Sequence, residues 1–265
     1  MITRREFSLA MGVAAVAATS AAACSSTPPA APPTSAGRTS FPALKQVDAG
    51  LLNVGYAEDG PADGPPVILL HGWPYDIYSY VDVAPVLAAK GYRVIVPYLR
   101  GFGTTHFLSD KTFRNGQQAA LAADMVAFMD ALKISQAVIG GFDWGARTAC
   151  VIAALWPQRC KALVSVSGYL IVNLASSLKP LAPQAELGWW YQYDAVDRQL
   201  AGMPPITVPA ITIASDFDGP AKDGSAYRQL FTGRYDHRVL DGIGHDVPQE
   251  APQEFANAIF DVAKY

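Results

Sequence analysis

The run Gly141-Phe142-Asp143-Trp144-Gly145-Ala146 puts a carboxylate between small residues, directly after an apolar stretch and directly before a helical one. A chain that turns sharply from strand to helix lifts one side chain above the sheet. That side chain then sits beside the unpaired N–H groups of the helix N-terminus. An alcohol in that place needs a base to activate it. Asp143 needs none, and a helix N-terminus favours its ionised form. A carboxylate nucleophile suits an sp³ carbon, giving an alkyl ester that water later cleaves. The plainer reading of Asp143 is a helix N-cap. Ester hydrolysis by a serine mechanism is disfavoured, because the elbow holds no hydroxyl. Three other loops carry groups that could complete the site: His71-Gly72-Trp73-Pro74, Asp216 with Asp218, and Gly242-Ile243-Gly244-His245-Asp246.

Each of these loops follows a short apolar run. The strand-like runs lie at 67–70, 92–97, 137–140, 162–166, Ala210–Ala214 and 237–240, with helical spacing at 77–90, 117–132, Trp144–Leu155 and 252–263. Alternating buried strands and helices predict right-handed crossovers and a mostly parallel sheet covered on both faces. An earlier pair, 45–47 and 51–56 around Gly50, reads as an N-terminal hairpin on that sheet. In such sheets the chemistry gathers where loops leave the carboxyl ends of the strands, and the four loops stand there.

On His71-Gly72-Trp73-Pro74, Arg100-Gly101-Phe102-Gly103-Thr104, Gly141-Phe142-Asp143-Trp144-Gly145 and Gly244-His245, the chain resembles the α/β-hydrolase superfamily. Within it, the resemblance is to the epoxide hydrolase and haloalkane dehalogenase branch. It implies the α/β-hydrolase fold, a mostly parallel sheet with helices on both faces and a short helical lid. It also implies a nucleophile at Asp143, a water-activating base at His245 and an orienting acid at Asp218, with Asp216 more suited to a turn or cap. The stretch 167–173 holds no carboxylate, so the acid position after the preceding strand is empty, which favours Asp218 and the epoxide hydrolase branch. The backbone N–H groups of Trp73 and Trp144 become the oxyanion hole. Pro74 is cis in many such motifs, although a plain loop proline fits as well.

Arg147 stands one helical turn beyond Asp143, where the related fluoroacetate dehalogenases use an arginine to hold a carboxylate. This chain has Trp144 where those enzymes carry a second arginine, so a structural role for Arg147 stays open. His71 reads as structural, His106 and His237 as surface or loop residues, and Cys150 and Cys160 as buried free thiols. In this branch a helical cap enters after the strand ending near Ser167, and two cap tyrosines hold the epoxide oxygen. Here Glu186-Leu187-Gly188-Trp189-Trp190-Tyr191-Gln192-Tyr193 resembles the first cap helix, with Tyr191 matching the first tyrosine best and Tyr193 the alternative. The chain then runs into 194–205 with no place for the second tyrosine. Such a lid predicts a wetter, more open site.

The chain has 265 residues, 51% of them hydrophobic and 16% charged, with a net charge of −3, which excludes a disordered chain. That balance points to no nucleic-acid partner, and three cysteines make no disulfide framework. The four histidines form no ligand-spaced cluster and no glycine-rich loop opens a helix, so neither metal nor cofactor is expected. Arg4-Arg5 ahead of an apolar, alanine-rich stretch resembles a twin-arginine export signal, and Ala21-Ala22-Ala23 offers a cleavage site before Cys24. Cys24 then reads either as a lipid-attachment residue tethering the protein to a membrane or as incidental to ordinary cleavage. The expected organisation is a signal at 1–23, a Pro/Ser-rich linker at 24–40 and an α/β-hydrolase domain at 41–265, with its lid at about 169–205. The expected function is hydrolysis of a small apolar epoxide to a diol by an exported enzyme. Haloalkane or haloacid dehalogenation is the alternative within the same chemistry. An inactive exported binding protein on this scaffold is the alternative of another class.

Overall fold

The computed structural model describes residues 40–41, 43–171, 203–218 and 222–265. The export signal, Cys24 and nearly all of the linker lie outside them, as do Tyr191, Tyr193 and the rest of the expected cap helix. The hairpin forms as β1 (Lys45–Ala49) and β2 (Leu52–Asp59), antiparallel around Gly50. β3 (Pro66–Leu70), β4 (Arg93–Pro97), β6 (Ala137–Gly141), β7 (Cys160–Val166), β8 (Ala210–Ala214) and β9 (Tyr235–Val239) pair in parallel. The sheet order is β1-β2-β4-β3-β6-β7-β8-β9, with the two-residue β5 (His106–Phe107) on β2. Every expected strand is present, with its ends shifted by one or two residues in most cases.

Side chains of β3 show how the sheet is covered. Val67 and Leu69 enter one apolar layer with α1 (Val83–Ala88) and the C-terminal helix α5 (Pro252–Val262). Ile68 and Leu70 enter the other, with α2 (Gln118–Ala131) and α3 (Trp144–Leu155). This period-two alternation is the pleat made visible. α2 buries Leu121, Met125, Phe128 and Met129, one stripe at helical spacing.

The single helix expected over 77–90 is two pieces, a 3₁₀ turn at Ile77–Tyr80 and then α1. Pro85 is the cause. In one continuous helix it would lack an N–H for the carbonyl four residues back and its ring would clash there, whereas the first turn of a new helix tolerates it. The sequence reading also passed over β5 and the short helix α4 (Val247–Glu250), both too brief to show a period.

Candidate active site

Four strands end where the chemistry was expected. The turn from β6 into α3 holds Asp143 at φ 50°, ψ −122°, a left-handed backbone rarely adopted by a side-chain-bearing residue. Such a turn needs its flanks bare: a Cβ on Gly145 would lie 1.8 Å from the Leu70 carbonyl oxygen, and one on Gly72 would lie 2.5 Å from Asp143 Cβ. Asp143 therefore stands where α3 begins but caps nothing with its side chain. The plain N-cap reading fails on that point.

The carboxylate is held from two sides. Trp73 N–H donates to Oδ1 at 2.8 Å, and the Trp144 N–H beside it lends the carboxylate further electrostatic support. His245 Nε2 lies 3.5 Å from Oδ2. Burial pushes the carboxyl pKa up, but His245 and the two backbone donors outweigh it and hold the group below the usual carboxylate range. The two oxygens are thus differentiated: Oδ1 faces the donor side, Oδ2 faces the imidazole. The Trp73–Pro74 peptide is cis.

His245 sits in the loop between β9 and α4, walled by aromatic rings. Phe217 is nearest at 4.2 Å between ring centroids, with Phe142 at 5.8 Å and Tyr75 at 5.9 Å. Its Nδ1 is buried and makes no hydrogen bond among the described residues. The Asp218–His245 hydrogen bond expected from the sequence is therefore not formed. Instead Asp218 turns back on its own strand end and accepts the Ser215 N–H at 2.8 Å. A short turn of this kind offers a local backbone donor that competes with any longer-range partner. Asp216 behaves as a turn residue, accepting the Gly242 N–H and pairing with Lys222.

The remaining candidates fall into place around this centre. His71 is structural: fully buried, it accepts the Leu99 N–H at Nε2 and donates from Nδ1 to the Gly72 carbonyl, and burial lowers its pKa. It ties the end of β4 to the loop that carries Trp73. Arg147 is buried on α3, with its guanidinium 5.5 Å from the Trp144 ring centre. His106 is exposed on β5. His237 is a β9 strand residue with Nδ1 against Thr212 Oγ1 and Nε2 against the Lys222 carbonyl, so it is neither a surface nor a loop residue. Cys150 and Cys160 are free and buried. Arg100, from the glycine-rich loop after β4, forms a buried two-pronged pair with Asp124 at 2.6 and 2.7 Å. Between β7 and β8, Tyr169 donates its hydroxyl to the Pro204 carbonyl at 2.8 Å.

Sequence reasoning missed Phe217 and the buried link between Ser79 and Asp246. Asp246-Val247-Pro248 carried a readable signal, an N-cap residue followed by proline in the first turn. Phe217 carried none.

The model of the alpha/beta hydrolase fold family matches residues 65–203. The chain belongs to the α/β-hydrolase family. Among solved structures, this α/β-hydrolase resembles a candidate epoxide hydrolase from Klebsiella pneumoniae at 46% identity and a TM-score of 0.79, covering 84% of this chain and 97% of that one. It is 39% identical over 112 residues to epoxide hydrolase B of Mycobacterium tuberculosis, which is 41% of this chain and 31% of that protein. It is 37% identical over 125 residues to a haloalkane dehalogenase of Mycobacterium marinum, 46% of this chain and 41% of that protein. The α/β-hydrolase thus spans well under two thirds of the length of these curated relatives. It is epoxide-hydrolase-like in sequence and fold.

Proposed function

We propose that the protein hydrolyses small apolar epoxides to diols through an alkyl ester on Asp143. The observation that carries this reading is the two-sided hold on one carboxylate: the Trp73 N–H at Oδ1, the His245 imidazole at Oδ2. Oδ2 would attack an epoxide carbon, and the C–O bond of the ring would break. The alkoxide so formed needs a proton, a role in which Tyr191 is proposed by resemblance. The Asp143 ester would then present its carbonyl oxygen, Oδ1, to the Trp73 and Trp144 donors. His245 Nε2 would take a proton from water as the oxygen adds to Cγ, and the oxyanion at Oδ1 would be held by those two N–H groups. Loss of one such donor typically costs about 10²–10³ in rate. Collapse of the adduct, with protonated His245 giving its proton to the leaving oxygen, would release the diol. Loss of the proton on the new carboxyl would restore the carboxylate and make good the proton given to the alkoxide.

The base must accept at Nε2, so its proton sits on Nδ1, and a buried N–H without an acceptor costs about 1–3 kcal/mol. Asp218, next in sequence to the Phe217 whose ring tilts against His245, is the proposed acceptor once it leaves the Ser215 N–H. Arg147 is proposed to orient a polar end of the substrate. Haloalkane dehalogenation would use the same nucleophile and is supported by the Mycobacterium marinum relative. The N-terminal twin arginine and Cys24 support an exported, membrane-tethered form, which Arg4→Lys/Arg5→Lys and Cys24→Ala test by cell fractionation.

The deciding experiment is the intact mass of a His245→Gln variant after incubation with pooled epoxides and, separately, haloalkanes. An epoxide adds its whole mass, whereas a haloalkane adds only its alkyl group in exchange for a proton. An adduct abolished by Asp143→Asn supports the reading, and its mass assigns the substrate class. No adduct from any pool overturns it in favour of a binding protein on a hydrolase scaffold.

A further inference from the structure

The ring nitrogen Nδ1 of His245 has no hydrogen-bond partner among the described residues, so the imidazole is held by Asp143 at Nε2, by its backbone and by the rings around it. The backbone on both sides of His245 is fixed by carboxylates. Glu250 Oε2 accepts the Gly244 N–H at 2.7 Å. Asp246, buried, caps α4, and its Oδ2 accepts the Ser79 hydroxyl at 2.7 Å across 167 positions of sequence. Ser79, also buried, belongs to the 3₁₀ turn Ile77–Tyr80 that follows the Trp73–Pro74 loop. That turn is pinned at its other side by Tyr80, whose hydroxyl donates to the Leu70 carbonyl at the end of β3.

We propose that Ser79 and Asp246 form a buried latch between the loop of the Trp73 donor and the loop of the His245 base. Asp246 is then a positioning residue for the ester-hydrolysing half of the reaction. The latch joins the two groups that must cooperate when water attacks the ester, the oxyanion donor and the proton acceptor. The first half calls on neither the base nor the oxyanion donors as such, because it needs Asp143, an electrophilic carbon and a proton for the alkoxide. Burial raises the Asp246 carboxyl pKa, while Ser79 and the Gln249 N–H pull it back, so the group is retained at a cost in desolvation. The imidazole of His245 and the Glu250 carboxylate are the other charged or titratable groups acting on it, and the Tyr80 hydroxyl feels its field. Asparagine can keep both links, because its oxygen can cap Gln249 while its amide donates to the Ser79 hydroxyl, which is both donor and acceptor.

The inference rests on the ester reading, and its test separates the two. In single-turnover mass spectrometry, Asp246→Ala should slow ester hydrolysis by about 10- to 100-fold while leaving ester formation within about threefold, the scale of a sub-ångström to 1 Å misplacement. Asp246→Asn should restore hydrolysis, Ser79→Ala should mimic Asp246→Ala, and the double alanine variant should be no slower than either single one. Equal loss in both steps would mark a merely structural residue and overturn the proposal. So would unchanged hydrolysis, or an asparagine variant no better than alanine. Should His245→Gln strand no ester in any pool, the ester reading fails, and the latch is judged by hydrogen exchange of the full chain. Faster exchange at 242–250 in Ser79→Ala upholds it, and unchanged exchange there overturns it.

Discussion

Gly145→Ala concentrates the physics of the elbow in one methyl group. The new Cβ would stand 1.8 Å from the Leu70 oxygen, 2.4 Å from the Leu70 carbonyl carbon and 2.7 Å from the His71 oxygen. All three are backbone atoms, so no side chain can swing aside. Reaching a tolerable contact of about 3.0 Å requires the start of α3 and the end of β3 to separate by roughly 1.2 Å. The Leu70 carbonyl also accepts from Tyr80 Oη and from the Phe142 N–H, so the displacement passes to both neighbours of the site. Forcing a methylene into such a place costs about 1–3 kcal/mol, and the backbone contact puts this case at the upper end. At about 2–4 °C per kcal/mol for a domain of this size, the melting temperature should fall by about 6–12 °C. Moving Asp143 by about 1 Å from its donors should cost about 10²-fold in ester formation. Gly116→Ala is the control: nothing lies within 4 Å of its added Cβ, and its effect should stay within about 1 kcal/mol. Thermal melts and the adduct-formation rate of both variants decide the matter. A Gly145→Ala protein melting within about 2 °C of the parent, with unchanged ester formation, would refute the reasoning.

Other expectations are more local. Asp124→Ala strands the buried Arg100 guanidinium and should cost about 3–5 kcal/mol, read by denaturant titration, while replacing both partners with apolar residues should cost clearly less. The Asp143 carboxyl lies below its unfolded value of about 3.9, so its ionised form contributes stability that is complete at neutral pH and lost as pH falls through the folded value. The melting difference between the parent and Asp143→Asn should therefore shrink from pH 7 to pH 3. Phe217→Ala removes the ring nearest His245 and should slow ester hydrolysis more than ester formation, which rapid-quench mass spectrometry resolves.

The central strands β3, β6 and β8 were legible because each is a short, largely apolar run, and the loops after them were legible because strand ends in parallel sheets gather function. Asp143, His245 and Trp73 converge as their positions in those loops require. What escaped was set by tertiary contact. The Phe217 ring against His245 and the Ser79–Asp246 link join segments distant in sequence, and no local period announces them. The Asp218–His245 hydrogen bond failed for a local reason, since Ser215 N–H lies three residues away and is the nearer donor. The broken helix at 77–90 was foreseeable from Pro85 alone; its apolar spacing hid the break.

The Tyr169–Pro204 hydrogen bond ties the chain just after β7 to the chain just before β8. The two ends of whatever lies between residues 169 and 204 are thus already held together by the core. Closing entropy grows only slowly with loop length, by about 0.6 kcal/mol for each doubling. A core built this way can accept a longer or shorter segment between these two points without relearning its own fold. Residues 169 and 204 are therefore natural splice points for grafting a foreign cap onto the same nucleophile.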